Sequence, residues 1–329
     1  MDRMTASCAL PIRVEPLEGR RLFDAIVLTD SPADTATDPA ADAIADAAAA
    51  PDPAADPVAA RPAVPRVVRR YAPLVFLHSD EQNFPTTGQW FIDHSELRWA
   101  RPLFPDDSVD KSVDASRLGE ASDNPYTHEY NDRTYEASDY TRPRGTEADR
   151  NGLPTDYGFF LNLDNDNRGG LPSTSPNRGV YRSAARVYYD YRPRNKINYW
   201  FFFAFNDGPG PQNHEGDWER IEVKLNAANR ASGTVYHQHG GSDTLSWRRT
   251  PKVGGTHPVV YSAKGSHASY PTPGRHRVFD VTNAGKSWAT WNALINVRTR
   301  PFYGFGGAWG EVGELSDTTG PLGPSRYKQ

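Results

Sequence analysis

The stretch that decides the fold opens with Asn198-Tyr199-Trp200-Phe201-Phe202-Phe203-Ala204-Phe205-Asn206-Asp207. It continues through Gly208-Pro209-Gly210-Pro211-Gln212-Asn213 into His214-Glu215-Gly216-Asp217-Trp218-Glu219-Arg220-Ile221-Glu222-Val223-Lys224-Leu225. The first segment is aromatic enough to read as a strand buried on both faces. From Arg220 the last segment alternates charged and apolar side chains, as a half-buried strand does. The glycines and prolines between them can continue neither strand. Residues 198–225 therefore predict a β-hairpin with a rigid loop.

Strand parity places the polar groups. Successive side chains alternate faces, so Asp217 and Glu219 share the face of Ile221, Val223 and Leu225, with Trp218 opposite. By the same count Asp207 closes the face of Tyr199, Phe201, Phe203 and Phe205, and a hairpin is expected to bring it near Asp217. Carboxylates on an apolar face pay for desolvation and for mutual repulsion. A divalent cation removes both penalties. The candidate metal ligands are Asp207, His214, Asp217 and Glu219, with Glu215 as a substitute or supporting group. Three oxygens and one nitrogen favour Mg, Mn or Ca over Zn. The competing reading is an ion-paired hairpin mouth in which Arg220 or another arginine neutralises the acids.

Around this hairpin the 329-residue chain divides into a tail, 1–65, and a body, 66–329. Asp30, Asp34, Asp38, Asp42 and Asp46 recur in an Ala/Pro/Thr background, which on a helix would stack like charges. The tail is expected to be a disordered acidic linker. It holds 5 basic and 11 acidic side chains, a net of −6, which leaves +2 for the body of a chain carrying −4. A nearly balanced body gives no support for nucleic-acid binding. The arginine-rich spots Arg66 with Arg69-Arg70, and Arg248-Arg249, read as separate patches of solvated surface. The single cysteine, Cys8, lies in the tail and forms no intrachain disulfide. No apolar run approaches the roughly 20 residues of a membrane span, and no ordinary export signal stands at the N-terminus.

The body reads as β. Strands are expected at Leu74–His78, Tyr157–Leu163, Arg186–Tyr191, Tyr199–Asn206, Trp218–Leu225, Thr234–His239, Pro258–Ala263 and Arg277–Val281, and short helices at Gln89–Trp99 and Trp288–Val297. Many short strands without a βαβ alternation imply an all-β, antiparallel sandwich with long loops, Pro105–Thr155 being the longest. Two more clusters stand out. His237 and His239 would share a strand face, where structural hydrogen bonding competes with ligand binding. Lys264, Ser266 and His267 sit in a small-residue turn that lets a ligand or another backbone approach closely. Serine catalysis is not indicated, because Ser266 and His267 are adjacent on the chain and no G-x-S-x-G elbow surrounds a serine. Leu161–Gly169 has the flavour of a calcium loop but lacks its distal glutamate, so a polar turn is expected.

Four motifs in order carry a resemblance. Tyr71–Glu81 with Phe84-Pro85 and Trp90-Phe91, Asn213–Glu219, Tyr261–Tyr270, and Gly304–Gly310 with Gly320–Pro324 resemble the vacuolar protein sorting-associated protein 62 family. The hairpin is also similar to that of the necrosis-inducing protein family, secreted cytolysins. That resemblance implies an actinoporin-like β-sandwich, a divalent metal on Asp207, His214, Asp217 and Glu219, and binding to sphingolipid headgroups. The chain departs from that pattern at Gly216, where the family has a second histidine. Val14–Ala25 resembles a short N-terminal motif of planctomycete surface and exported proteins.

Together these readings give the expected function: metal-dependent binding of a membrane glycolipid or carbohydrate headgroup by a monomer outside the cell or at its surface. Trp218, Lys264 and His267 are expected near the rim, with His237 and His239 as further contacts. The alternative is a metal-dependent hydrolase of phosphoester or glycosidic bonds with Glu215 or Glu219 as base.

Overall fold

A computed structural model describes residues 63–146, 150–163, 185–208, 212–276, 279–313 and 315–327. The acidic tail up to residue 62 and the Asp164–Gly169 part of the calcium-like loop lie outside the described residues. The aromatic strand Lys196–Asn206 and the acidic strand His214–Leu225 pair antiparallel, from Lys196 opposite Lys224 to Asn206 opposite His214. This hairpin is the middle of a six-stranded sheet ordered Gly241–Ser246, Ala231–Gln238, His214–Leu225, Lys196–Asn206, Val187–Arg192, Leu294–Asn296.

Both faces of that sheet are covered, and this is why the aromatic strand carries no polar alternation. Trp200, Phe202 and Ala204 pack with Trp218 against Leu97, Trp99, Phe159 and Leu161 on one side. Tyr199, Phe201 and Phe203 pack with Ile221 and Val223 against Val75, Leu77 and Val260 on the other. The first covering layer is the sheet Ala308–Trp309, Gly158–Leu163, Ser95–Ala100, Asp107–Asp110. The second is built on Lys252–Val253, His257–Ser262, Leu74–Leu77 and Lys286–Ala289, with Ser269–Tyr270 paired to His257–Ser262. The fold is all-β, in three layers.

Several local expectations are corrected. The sheets are not purely antiparallel: Leu74–Leu77 with His257–Ser262, Val187–Arg192 with Leu294–Asn296, and Gly158–Leu163 with Ala308–Trp309 each pair in parallel. The helix expected over Gln89–Trp99 runs Gly88–Asp93, started by Thr87, whose side chain accepts the Trp90 N–H. Its second half is the strand Ser95–Ala100, because Leu97 and Trp99 alternate with Glu96 and Arg98 and find a partner in Gly158–Leu163. Trp288–Val297 is likewise no helix; it is split between Lys286–Ala289, a 3-10 turn at Thr290–Asn292 and Leu294–Asn296. Pro105–Thr155 is more than a loop. It contains Asp107–Asp110 and the hairpin Thr127–Tyr130 with Arg133–Glu136, whose Asn131-Asp132 turn has both residues at positive φ, and it sends Leu118, Tyr126 and Tyr135 into the core.

Candidate functional site

The acidic cluster lies within a strand and not in the loop before it, since His214 is already paired to Asn206. As parity requires, Asp217 and Glu219 share the face of Ile221 and Val223, and both are buried, at 3% and 7% exposure. They line a cavity of 430 Å³ together with His214, Asn206, His237, Gln238 and His239. His239 is not in the strand with His237; it forms a two-residue turn with Gly240 between the paired Gln238 and Gly241.

Behind Asp217 stands a buried clamp. His267 donates from Nδ1 to Asp217 Oδ2 at 2.8 Å, and its Nε2 lies 3.6 Å from Glu81 Oε1, an ion pair without a hydrogen bond. The His267 ring stacks on Phe203 at 3.7 Å between centroids. Burial opposes a charge on this ring, but the Glu81 carboxylate and the bond to Asp217 prevail and hold it protonated, at about 10. Glu81 is reciprocally held at about 2: burial works against it, and the His267 charge and N–H donors from Gly265 and Asn83 outweigh burial. Gly265 must be glycine here, since a Cβ would come within 2.1 Å of Asp207 O. The close approach foreseen for this turn is thus that of another backbone, whose Asp207 N–H donates to Gly265 O at 2.9 Å.

Glu219 has no such clamp. No ion pair reaches it among the described residues, and burial followed by the charge of Asp217 pushes its carboxyl well above the usual range. His214 is arranged differently. Its Nδ1 lies 2.7 Å from Gly216 O, and a carbonyl only accepts, so Nδ1 carries the proton and Nε2 the lone pair. Asn206 donates to that lone pair at 3.0 Å, which leaves Asn206 Oδ1 buried without a partner; Gln238 Oε1, His237 Nε2 and Trp218 Nε1 are also unpartnered. All four atoms are sealed from solvent and have no hydrogen-bond partner among the described residues.

The remaining expected residues are placed differently from the reading. Asp207 is exposed and accepts from Asn213 at 3.3 Å. The residue facing Asp217 is Phe203, four positions earlier, because parity fixes the face of a side chain but not its place along the strand. Lys264 is exposed and does not line the cavity. Trp218 and His267, expected at the rim, are each 1% exposed. Glu215 shares the parity of Asp217, yet its Oε2 accepts the N–H groups of Leu163 at 3.0 Å and Glu311 at 3.2 Å, fastening the covering sheet to the hairpin. Among the described residues no three His, Cys, Asp or Glu side chains stand ready to hold a metal ion. Sequence reasoning missed Glu81 and Asn206; the signal for Glu81 was an acid four residues after an apolar strand, in the polar run His78-Ser79-Asp80-Glu81 that closes the motif.

Fold and cavity define a layered all-β protein with a pocket walled by buried carboxylates, histidines and amides. No family model matches the chain. It is similar to vacuolar protein sorting-associated protein 62 of Saccharomyces cerevisiae, at 25% identity over 68% of this chain and 51% of that protein. TDA6 of the same yeast is 24% identical, over 68% of this chain and 52% of its own. The chain spans about half the length of the curated relatives it matches. Solved necrosis-inducing-like structures are more distant. The non-toxic HaNLP3 protein is 13% identical over 73% of this chain and 80% of its own, with a TM-score of 0.33. NLPPya in complex with mannosamine is 19% identical over 35% of this chain and 52% of its own, with a TM-score of 0.25.

Proposed function

We propose that this chain binds carbohydrate headgroups, those of membrane glycolipids included, through a divalent cation held by Asp217 and Glu219, with His214 turning to it on loading, outside the cell or at its surface. The observation that carries the reading is the pair Asp217 and Glu219, buried two residues apart on one strand face at a cavity wall, with His267 as the imidazolium beside them. A hard cation would take the carboxylates of Asp217 and Glu219, and would gain the His214 Nε2 lone pair on displacing the Asn206 amide that now donates to it; oxygen donors favour Mg, Mn or Ca. It would offset the burial and the Asp217 charge that now raise Glu219, and would present open positions to sugar hydroxyls. For a glycolipid the membrane contact is supplied by Leu103 and Phe104, 99% and 66% exposed in the loop that follows Arg101 and Pro102. A hydrolase using Glu215 as base has no such support, because that carboxylate is already engaged by two backbone donors.

Protein purified without chelator is expected to contain a stoichiometric divalent ion that Asp217→Ala loses; metal-free protein at neutral pH defeats the cation. Binding to glycan arrays and glycolipid vesicles is expected to vanish with chelator and return with calcium. Chelator-insensitive binding would move the interface elsewhere. Replacing Leu103 and Phe104 by serine is expected to weaken vesicle binding while leaving soluble-glycan binding intact.

A further inference from the structure

His214 lines a second cavity as well. That cavity has a volume of 650 Å³, and its walls include Phe205, Asn213, Val312, Leu315 and Thr318. The partition between the two is a thin one. Gln212 faces the first cavity and Asn213 the second; Ser316 and Thr319 line the first, Leu315 and Thr318 the second. Arg142 braces the partition, donating to the carbonyls of Ser316 at 2.9 Å, Thr319 at 2.9 Å and Gly320 at 2.7 Å. Arg144 adds a bond to Gly313 O at 3.3 Å. Asn206, which donates to the imidazole, lines the first cavity, and Asn213 lines the second.

We infer that the two cavities are one binding site joined at His214, and that its ligand is an oligosaccharide of at least two sugar units, one in each cavity. This rests on the carbohydrate reading above. Each cavity has the size of an ordinary small-ligand pocket. The second combines apolar surface from Phe205, Val312 and Leu315 with the polar Thr318 and Asp156, matching a sugar ring that shows C–H groups on its face and hydroxyls at its edge. Its two guanidinium groups are already paired, Arg101 with Asp107 at 3.1 Å and Arg144 with Asp156. Neither is left over for a carboxylate or phosphate, so the unit held there carries no acidic group.

The test is calorimetric titration of the full chain, in calcium, with mannose and glucosamine and with the linear di- and trisaccharides of each. In at least one series the disaccharide is expected to bind about tenfold or more tighter than the monosaccharide. Narrowing the second cavity with Leu315→Trp, or independently with Thr318→Trp, is expected to bring the disaccharide down to the monosaccharide's affinity. Equal affinities for mono- and disaccharide in the unaltered protein overturn the joined site and leave the carbohydrate reading standing. Silence from every sugar with calcium present overturns both.

Discussion

Gly216 separates two carboxylates that parity puts together. With φ at 63° it occupies the left-handed region, and a Cβ there would lie 2.0 Å from Trp309 O. Glu215 can therefore reach the covering sheet while Asp217 stays with the cavity. Gly216→Ala is expected to cost about 3 to 4 kcal/mol in urea unfolding, from backbone strain plus a clash with main chain. Gly240 supplies the control: its φ is 67°, but nothing stands within 4 Å of the Cβ position, so Gly240→Ala should cost only about 1 to 2 kcal/mol. His237 sets a pH dependence. Burial, then the charges of Arg220, Lys196 and Lys224, lowers its imidazole to about 4 from the ordinary 6.5. The unfolded chain therefore takes up a proton that the folded chain refuses. The stability His237 contributes is present above pH 6.5 and is lost as pH falls toward 4. His237→Gln is expected to flatten the unfolding midpoint across that window, by less than the ~1.4 kcal/mol per pH unit of a fully shielded group. An unchanged slope would show that the ring titrates in the native state.

At the scale of elements, the hairpin was legible because its message is local. Aromatic density marked a strand covered on both faces, and Lys196–Asn206 is buried from Ile197 onward. The turn chemistry marked where pairing stops. Ser95–Trp99 falls within the helix expected over Gln89–Trp99 because Trp90, Phe91 and Leu97 fit one helical face; Trp99 does not, and the pairing with Gly158–Leu163 decides for a strand. The hairpin's load lies on its inner rings: Phe202, fully buried, meets Phe91 at 5.2 Å and Trp218 at 4.6 Å between centroids. Phe202→Ala is expected to cost about 3 to 5 kcal/mol. The partner strand, His214–Leu225, carries the charge penalty. In chelator, Glu219→Gln is expected to melt above the unaltered protein, because it removes a buried, repelled carboxylate. Calcium should then raise the melting temperature of the unaltered protein alone. Lower stability of Glu219→Gln in chelator would mean that Glu219 has a partner of its own.

Across the whole molecule, position along the strands matters more than identity. The cavity gathers His214, Asp217 and Glu219 from one strand, His237 from the next and Arg142 from a distant loop. Far apart in sequence, Tyr71 and Trp247 contact edge to face at 5.3 Å and join the end of the Arg66–Tyr71 helix to the residue before Arg248-Arg249. The sequence by itself determined the all-β class, the hairpin, and the face shared by Asp217 and Glu219, because alternation and turn chemistry are properties of neighbouring residues. Only the tertiary structure decided that a third layer covers the hairpin, that Glu81 and His267 clamp Asp217, that Glu215 serves the fold, and that Asp207 stands apart. Those outcomes depend on register and on close approach between segments far apart in the chain, and no local pattern encodes either.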